Sequence, residues 1–329
     1  MGDGEGNQAA QRGAHRREIA RIAEQPPVRA VGTSRSQVGE SPLWSPADGA
    51  LWWVDIEGRA LHRHRLQDGA DDRWRTDERI ACIALCGGGG LVAAMESGIF
   101  RLRPGADGEL TSRRIATARH PRDGMRFNDG RTDRQGRFWV TSMVRDMALA
   151  APAGGLFRFD SAGLSAPVVD GLVTGNGLAF SPDGSVLYLS DSHPTVRRVW
   201  RFALDGDGRL ADRRLFADMG DVIGRPDGAA VDRDGGYWTA ANDDGLLIRF
   251  APDGRLDRAL RVPVSKPSMV AFGGPHLDRL FVTSIRPAAP APGFDPALEG
   301  ATLVLDPGAR GLAETPFAFL APEPEMETP

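Results

Sequence analysis

Oxygen-bearing side chains recur at one position of a repeated sequence pattern. The six aligned copies have at this position Glu40, Cys82, Asn128, Asn176, Asp227 and Ser268. Taken singly, an Asn or Asp at the start of a strand is usually explained by local turn hydrogen bonding. Four carboxylates and amides in one phase of a repeat instead indicate a shared site, and converging carboxylates are most simply compensated by a cation. Because the ligands are oxygens, Ca²⁺ is predicted, with Mg²⁺, Mn²⁺ or Zn²⁺ as alternatives.

The repeated unit is a β-hairpin. The copy "NGLAFSPDGSVLYLSDS", which begins at Asn176, has two short apolar runs joined by a PDG turn, and a third strand follows in "RRVWRFALD" from Arg197. The copies start about 40 to 50 residues apart. Six such units predict an all-β fold, a six-bladed β-propeller of four-stranded blades. A pair of β-sandwiches is the alternative, although sandwiches do not need near-identical repeats.

In a propeller the first strand of each blade lies nearest the central axis. The recurring residues are therefore expected to form a ring around that axis. No break interrupts the repeats, so a single propeller domain is predicted over residues 31–329. Residues 1–30 have no counterpart in the repeat, and we expect a flexible N-terminal extension with one short helix over about 17–24.

Composition and charge exclude several functional classes. A formal net charge of −4 on 329 residues gives no reason to expect a nucleic-acid or membrane partner. No apolar run approaches the roughly 20 residues of a membrane span, and the first 30 residues lack the apolar region of a signal peptide. Cys82 and Cys86 have no second pair with which to form a zinc site, so reduced core cysteines are expected. These features predict a cytoplasmic protein with a small-molecule partner.

Longer motifs follow one another along the chain. They are "GESPLW" from Gly39, "RFNDGRTDRQGRFW" from Arg126, "NGLAFSPDG" from Asn176, "PDGAAVDRDGGYW" from Pro226 and "FGGPHLDRLFVTS" from Phe272. In this order they resemble the SMP-30/gluconolactonase/luciferin-regenerating (regucalcin-like) family, over roughly residues 36–320. The resemblance implies a six-bladed propeller that holds a single divalent cation and hydrolyses a sugar lactone of the gluconolactone type. It places the three protein ligands of the cation at Glu40, Asn176 and Asp227.

The resemblance also implies residues that contact the sugar. These fall on Arg126 and Asn128, and a further carboxylate of the substrate blade has its candidate in Asp146, within "TSMVRDMALA". A bound cation can polarise the lactone carbonyl or activate the attacking water. Asp227 is the candidate general base, and a role as a ligand alone is equally open. Asp129 is expected to cap its own turn.

Two other functions are compatible with the ring. A calcium-dependent propeller can hydrolyse organophosphates or other esters instead of sugar lactones. A non-catalytic propeller can simply bind calcium or another protein, but that function would not require a sugar-holding Arg and Asn. The "RFND" sequence from Arg126 therefore favours an enzyme.

Overall fold

The blades of the protein are arranged in a closed ring. The computed structural model describes residue 19 and residues 23–220 and 224–318. Within these residues six antiparallel sheets follow one another, and the innermost strands of neighbouring sheets contact each other, the sixth contacting the first. The fold is a six-bladed β-propeller, which confirms the prediction. No helix in the described ranges is long and apolar enough to cross a bilayer.

Each blade is built outward from the axis, and blades 1 to 6 are numbered in the order of their innermost strands. The innermost strands are β2 (Gly39–Ser45), β6 (Ile80–Leu85), β10 (Met125–Thr132), β15 (Gly175–Phe180), β19 (Arg225–Val231) and β23 (Pro267–Gly273). The second strands are β3 (Ala50–Asp55), β7 (Leu91–Met95), β11 (Phe138–Val144), β16 (Val186–Asp191), β20 (Tyr237–Asn242) and β24 (Arg279–Ser284). The third strands are β4 (Ala60–Arg65), β8 (Gly98–Pro104), β12 (Gly154–Asp160), β17 (Arg198–Leu204), β21 (Leu246–Phe250) and β25 (Ala301–Leu305).

The outer edges of the blades are less regular. The outermost strands are β5 (Asp71–Arg75), β9 (Leu110–Thr117), the pair β13 (Gly163–Leu164) and β14 (Val169–Leu172), β18 (Leu210–Asp218), β22 (Leu256–Arg261) and β1 (Arg29–Arg35). Two 3₁₀ helices, Ala106–Gly108 and Met147–Leu149, lie between strands. Because the blades pack in a ring, the inner edge of each sheet lies at the axis, and these outer strands form the edges that face away from it.

The sixth blade joins the two ends of the propeller. Its outermost strand is β1, which pairs with β25 from Arg29 onwards, so an N-terminal strand completes a sheet made otherwise of C-terminal strands. The expected flexible extension and its short helix fall mainly on residues outside the described ranges. Of that segment, Ile19 is buried, and Glu24 forms a parallel bridge with Leu260.

The apolar core lies between neighbouring blades. Trp139 of blade 3 is fully buried against Leu178 and Phe180 of blade 4, with its ring centroid 6.3 Å from that of Phe180. The indole Nε1 of Trp139 donates to Asp133 Oδ2 at 2.8 Å, and the turn that contains this aspartate is thereby tied to the second strand. Burial of large aromatic side chains between sheets is the main source of rigidity for the innermost strands.

A β-bulge interrupts each innermost strand close to the ring position. In blade 4 the register shifts between Asn176 and Ala179, and Gly177 has a φ of 61°. A Cβ at Gly177 would come within 2.5 Å of the Tyr237 hydroxyl, so this position needs glycine for both conformation and space. Ser41, at the same place in blade 1, has a φ of 51°. Bulges redirect side chains, and here they turn the ring residues toward the axis.

Arg131 fills the end of the axis opposite to the ring. Its Nε donates to the carbonyl oxygen of Leu178 at 3.1 Å and its Nη2 donates to that of Ala229 at 2.7 Å. Its Nη1 forms an ion pair with Glu314. The C-terminal segment that contains Glu314 thus closes this end, and the ring faces the other opening.

We expect Arg131→Met to lower the free energy of unfolding by about 3–5 kcal/mol, because it leaves a largely buried carboxylate and several carbonyls without their donor. Chemical denaturation followed by intrinsic fluorescence measures this. Arg209→Met is the matched control: the Arg209 side chain is 76 % exposed, and its loss should change stability by about 0.5 kcal/mol or less. Equal stability of the two variants would show that Arg131 is not part of the closure.

Candidate functional site

Four polar side chains lie buried around one end of the axis. The exposed fraction is 9 % for Glu40, 9 % for Asn128, 4 % for Asn176 and 3 % for Asp227. They come from the innermost strands of blades 1, 3, 4 and 5, as the alignment of the repeats predicted. Buried polar groups need internal partners, so the hydrogen bonds of each group indicate what it can do.

Asp227 has the most complete set of partners. Asn176 Nδ2 donates to its Oδ1, and Asn242 Nδ2 donates to its Oδ2 at 2.6 Å. Burial raises the pKa of Asp227 to about 6, although the charge of Arg225 and the hydrogen bond from Asn242 oppose the shift. A carboxyl group with a pKa in this range can both accept and release a proton near neutral pH.

Asn242 is a member of the site that sequence reasoning missed. It ends the second strand of blade 5, where it pairs with Arg225. Asp55 and Asp191 also end the second strands of blades 1 and 4 and accept backbone N–H groups, but they pair with Gly39 and Gly175, one residue before the ring position, whereas Arg225 stands two residues before it. The sequence signal for Asn242 was therefore weak: a polar residue ends the second strand in these three blades, but not at one shared position of the repeat. Only in blade 5 does that residue reach a ring carboxylate.

Glu40 carries a charge that its surroundings do not neutralise. No side chain of the described residues donates a hydrogen bond to its carboxylate, although the backbone N–H of Ser41 does interact with it. Burial, and after it the negative charges of Asp227 and Asp129, raises the pKa of Glu40 well above its usual value. Arg126 opposes this shift. Glu40 and Asp227 are thus two interacting buried carboxyl groups, and the Glu40 carboxylate has no side-chain hydrogen bond among the described residues to offset its charge. This arrangement favours a proton or a cation between them.

Arg126 and Asn128 form a preorganised pair beside the carboxylates. Arg126 Nη1 donates to Asn128 Oδ1 at 2.7 Å and to the carbonyl oxygen of Phe127 at 2.8 Å. Asn128 Nδ2 donates to the carbonyl oxygen of Gly175 at 2.9 Å, which fixes the amide against blade 4. The other two nitrogens of Arg126 have no hydrogen-bond partner within the described ranges, so they can donate to a ligand.

The other candidates near the ring have structural contacts. Asp129 accepts backbone N–H groups from Gly130 at 2.7 Å and from Leu178 at 2.8 Å, so it caps its turn and also joins blade 3 to blade 4. The Ser268 hydroxyl donates to a backbone carbonyl of blade 1. Cys82 is a buried free thiol, and burial raises its pKa well above the usual value, which makes it a poor nucleophile.

Asp146 lies in a loop at the ring end of blade 3. It is exposed, and its side chain accepts the backbone N–H of Ala148 at 3.1 Å, which caps the 3₁₀ helix Met147–Leu149. The same helix contacts His193 of blade 4, whose Nε2 is 3.1 Å from the carbonyl oxygen of Met147. No hydrogen bond or ion pair joins Asp146 to the ring within the described ranges. Contact between Asp146 and a substrate stays a prediction.

The donor set at the axis fits a hard divalent cation. Glu40 and Asp227 supply two carboxylates whose mutual repulsion a cation would relieve. Asn176 supplies an amide whose oxygen accepts the N–H of Gly177 at 3.0 Å. With the amide oxygen and nitrogen exchanged, that oxygen would lie on the side of Asp227, where both side chains could bind one cation. No three His, Cys, Asp or Glu side chains converge on a metal position among the described residues. The set proposed here has two carboxylates and one amide.

Comparison with known proteins settles the family. Residues 38–286 match the family model described as the SMP-30/gluconolactonase/LRE-like region. The chain belongs to this family. A member from Pseudomonas putida, 6-deoxy-6-sulfogluconolactonase, is 36 % identical over 295 residues, which cover 88 % of this chain and 98 % of the relative.

Other members of the SMP-30/gluconolactonase family agree with this placement. Pentonolactonase XacC of Haloferax volcanii is 35 % identical, over 78 % of this chain and 84 % of its own length. The crystal structure of a calcium-binding protein, regucalcin, from Agrobacterium tumefaciens superimposes with a TM-score of 0.80 at 27 % identity, over 90 % of this chain and 98 % of that one. The propeller and its ring are thus placed within a family that includes named lactonases and a calcium-binding protein.

Proposed function

We propose that the protein is a lactonase, which hydrolyses a sugar lactone to the corresponding aldonic acid with the help of one divalent cation. The observation that supports this most directly is the convergence of Glu40, Asn176 and Asp227 beside the Arg126–Asn128 pair. Two relatives of the chain are lactonases by name, and their names specify different lactones. Cytoplasmic location and the lack of a nucleic-acid partner stay predictions from composition.

Glu40, Asn176 and Asp227 are the residues that would hold the cation. Ca²⁺ is proposed because all three offer oxygen and because a family structure is that of a calcium-binding protein. A bound divalent cation supplies Lewis acidity, which polarises a carbonyl and lowers the pKa of water.

Asp227 is proposed as the general base. The oxygen of a water molecule attacks the lactone carbonyl carbon, and Asp227 takes the proton that this water releases. The C–O bond of the lactone ring then breaks, and the proton returns from Asp227 to the ring oxygen, which becomes a hydroxyl group of the aldonic acid. The hydrogen bond from Asn242 orients the carboxylate for this exchange.

Arg126 and Asn128 are proposed to hold the sugar. The free nitrogens of the guanidinium can donate to a sugar hydroxyl or to the oxyanion that develops on the carbonyl oxygen. The amide of Asn128 can donate and accept, as a sugar hydroxyl requires. Because Arg126 already donates to Asn128 Oδ1, the two side chains would act as one preformed surface.

The decisive experiment is a metal-resolved activity panel. Purified protein is stripped of metal, each of Ca²⁺, Mg²⁺, Mn²⁺ and Zn²⁺ is returned separately, and acid release is followed for several sugar lactones, an aryl ester and a phosphotriester. Cation-dependent hydrolysis of sugar lactones supports the proposal. A preference for the aryl ester or phosphotriester would indicate the alternative hydrolase, and cation binding without any turnover would indicate a non-catalytic propeller.

Arg126→Ala is expected to lower kcat/KM by about one to two orders of magnitude, because a charge-assisted hydrogen bond contributes roughly 1.5–3 kcal/mol. Steady-state kinetics on the best lactone measures the change. A rise in KM alone would indicate that Arg126 binds the ground-state sugar, and a fall in kcat would indicate oxyanion stabilisation. Unchanged kinetics would show that this pair is structural.

Asn242→Ala is expected to lower both cation affinity and kcat/KM by about 10- to 100-fold, the usual effect of removing a residue that orients a metal ligand. Cation affinity is measured by calorimetry, and turnover by acid release. Ser190→Ala is the matched control, because Ser190 pairs with Asn176 across the hairpin and its buried hydroxyl has no hydrogen-bond partner among the described residues. Loss of activity without any loss of cation affinity would contradict the orienting role.

A further inference from the structure

Positively charged side chains surround the mouth of the site. Arg126, Arg225 and Lys266 each stand two residues before the ring position, in blades 3, 5 and 6 respectively. The chain enters each innermost strand from the end that carries the ring, so these three residues lie nearer the opening than the ring residues that follow them. Lys266 is the only lysine of the sequence. Arg126 already has a proposed role, whereas Arg225 and Lys266 have none.

Arg225 and Lys266 share one carboxylate. Arg225 Nε is 2.7 Å from Asp243 Oδ2, and Lys266 Nζ forms an ion pair with Asp243 Oδ1. Asp243 has a φ of 80°, a left-handed conformation that usually costs a non-glycine residue about 1–3 kcal/mol. The backbone is thus held in an unfavourable conformation at the point where a carboxylate bridges the two cations.

The bridged cations lie between the ring and the solvent. Arg225 Nη2 donates to Asn242 Oδ1 at 3.2 Å, so its guanidinium directly adjoins the group that orients Asp227. The exposed fraction of the side chain is 14 % for Arg225, 32 % for Lys266 and 42 % for Asp243. The group is thus partly withdrawn from water and still accessible from the opening.

The charges of this group do not cancel. Two cations face one carboxylate, which leaves one positive charge on the side of blades 5 and 6. Blade 3, which carries Arg126, is opposite to blade 6 in a six-bladed ring. A divalent cation would neutralise Glu40 and Asp227, so the loaded site would present a positive mouth on a protein whose formal net charge is −4. Such a mouth attracts anions and repels further cations.

We propose that the lactone hydrolysed by this protein carries an anionic group remote from its carbonyl, and that Arg225 and Lys266 bind that group. This inference rests on the proposed lactonase function. The expected group is an oxyanion of the sulfonate, phosphate or carboxylate type, because the Arg225 guanidinium keeps two N–H donors beyond those given to Asp243, Ser192 and Asn242, and the ammonium of Lys266 adds a point charge. With its ring hydroxyls on Arg126 and Asn128, a sugar lactone would extend across the axis towards blades 5 and 6.

The test compares neutral and anionic lactones of the same carbon skeleton. Glucono-1,5-lactone is the neutral substrate, and its 6-sulfonate, 6-phosphate and 6-carboxylate counterparts are the anionic ones. We expect wild-type kcat/KM to be at least about 10-fold higher for one of the anionic lactones. Lys266→Gln should remove most of that preference by raising KM for the anionic lactone. For the neutral lactone, kcat/KM should change less than about 3-fold. Lys266→Arg should retain the preference.

Two controls separate the possible causes of failure. Arg209→Gln removes the same charge from an exposed side chain on the opposite end of the propeller and should leave the preference intact. Calorimetry with the 6-sulfonated aldonate and with gluconate adds a measurement that needs no turnover, and Lys266→Gln should weaken binding of the sulfonated acid alone.

If the wild type hydrolyses lactones without preference for an anion, or if Lys266→Gln affects neutral and anionic lactones equally, the inference is wrong and the lactonase proposal stands. If no lactone is hydrolysed with any cation, the lactonase proposal itself is wrong.

Discussion

Asp227→Ala is expected to lower kcat/KM for every sugar lactone by about two to four orders of magnitude, the range associated with loss of a general base. The variant also loses one of the two buried carboxylates that a divalent cation would neutralise, so cation binding should weaken with it. Acid release at saturating cation and calorimetric titration of the metal-free protein measure the two losses separately. Full activity of Asp227→Ala would place the chemistry elsewhere in the molecule.

Asp227→Asn distinguishes the two roles of this side chain. The amide keeps one acceptor but places an NH₂ group next to a side chain that already donates, either Asn176 or Asn242. Cation binding with little turnover would support the general base, whereas loss of both would indicate a ligand. Ser268→Ala is the matched ring variant: loss of its hydrogen bond to blade 1 should cost about 1 kcal/mol of stability and leave turnover near the wild-type level.

Glu40→Gln is expected to abolish most turnover and, at the same time, to stabilise the metal-free protein by on the order of 1–2 kcal/mol, as is common when a functional charge is neutralised. The substitution removes a buried negative charge from beside Asp227 and Asp129, and no described side chain loses a hydrogen bond to it. In wild type, added cation should raise the melting temperature, and in Glu40→Gln most of that increase should disappear. Differential scanning calorimetry with and without chelator measures both effects.

The pH dependence of the free energy of unfolding of the metal-free protein tests the same prediction in a second way. The pKa of Glu40 is raised in the folded state above its ordinary value of 4.5, so above that pH the folded state binds more protons than the unfolded state. The contribution of Glu40 to the free energy of unfolding of the wild type therefore falls as pH rises above about 4.5, and the advantage of Glu40→Gln should grow over the same range and vanish below it. Glu57→Gln is the control, because Glu57 pairs with Arg79 at 2.8 Å and should gain nothing from neutralisation. A less stable metal-free Glu40→Gln would show that the charge of Glu40 is already compensated.

The repeat made much of the site predictable. Glu40, Asn176 and Asp227 could be aligned because each blade repeats one hairpin, and equivalent positions of radially packed hairpins must converge on the axis. The same alignment placed Arg131 at a position that is apolar in the five other copies. That exception was visible in the sequence, but its meaning depends on the C-terminal Glu314, which the repeat does not contain.

Contacts between residues at non-equivalent positions of the repeat were decided by the tertiary structure alone. Asn242 reaches Asp227 only because the bulge in β19 turns this carboxylate toward the end of β20, and Asp243 bridges Arg225 and Lys266 only because two blades meet there. The sequence by itself determined the number of blades and the polar character of the ring, and it predicted the kind of ion, since each follows from hydrophobic periodicity and from residue type at one repeated position. Which partners orient each carboxylate, and which charges line the opening, depend on distances between strands that are remote in the chain, and those distances are set by packing between blades.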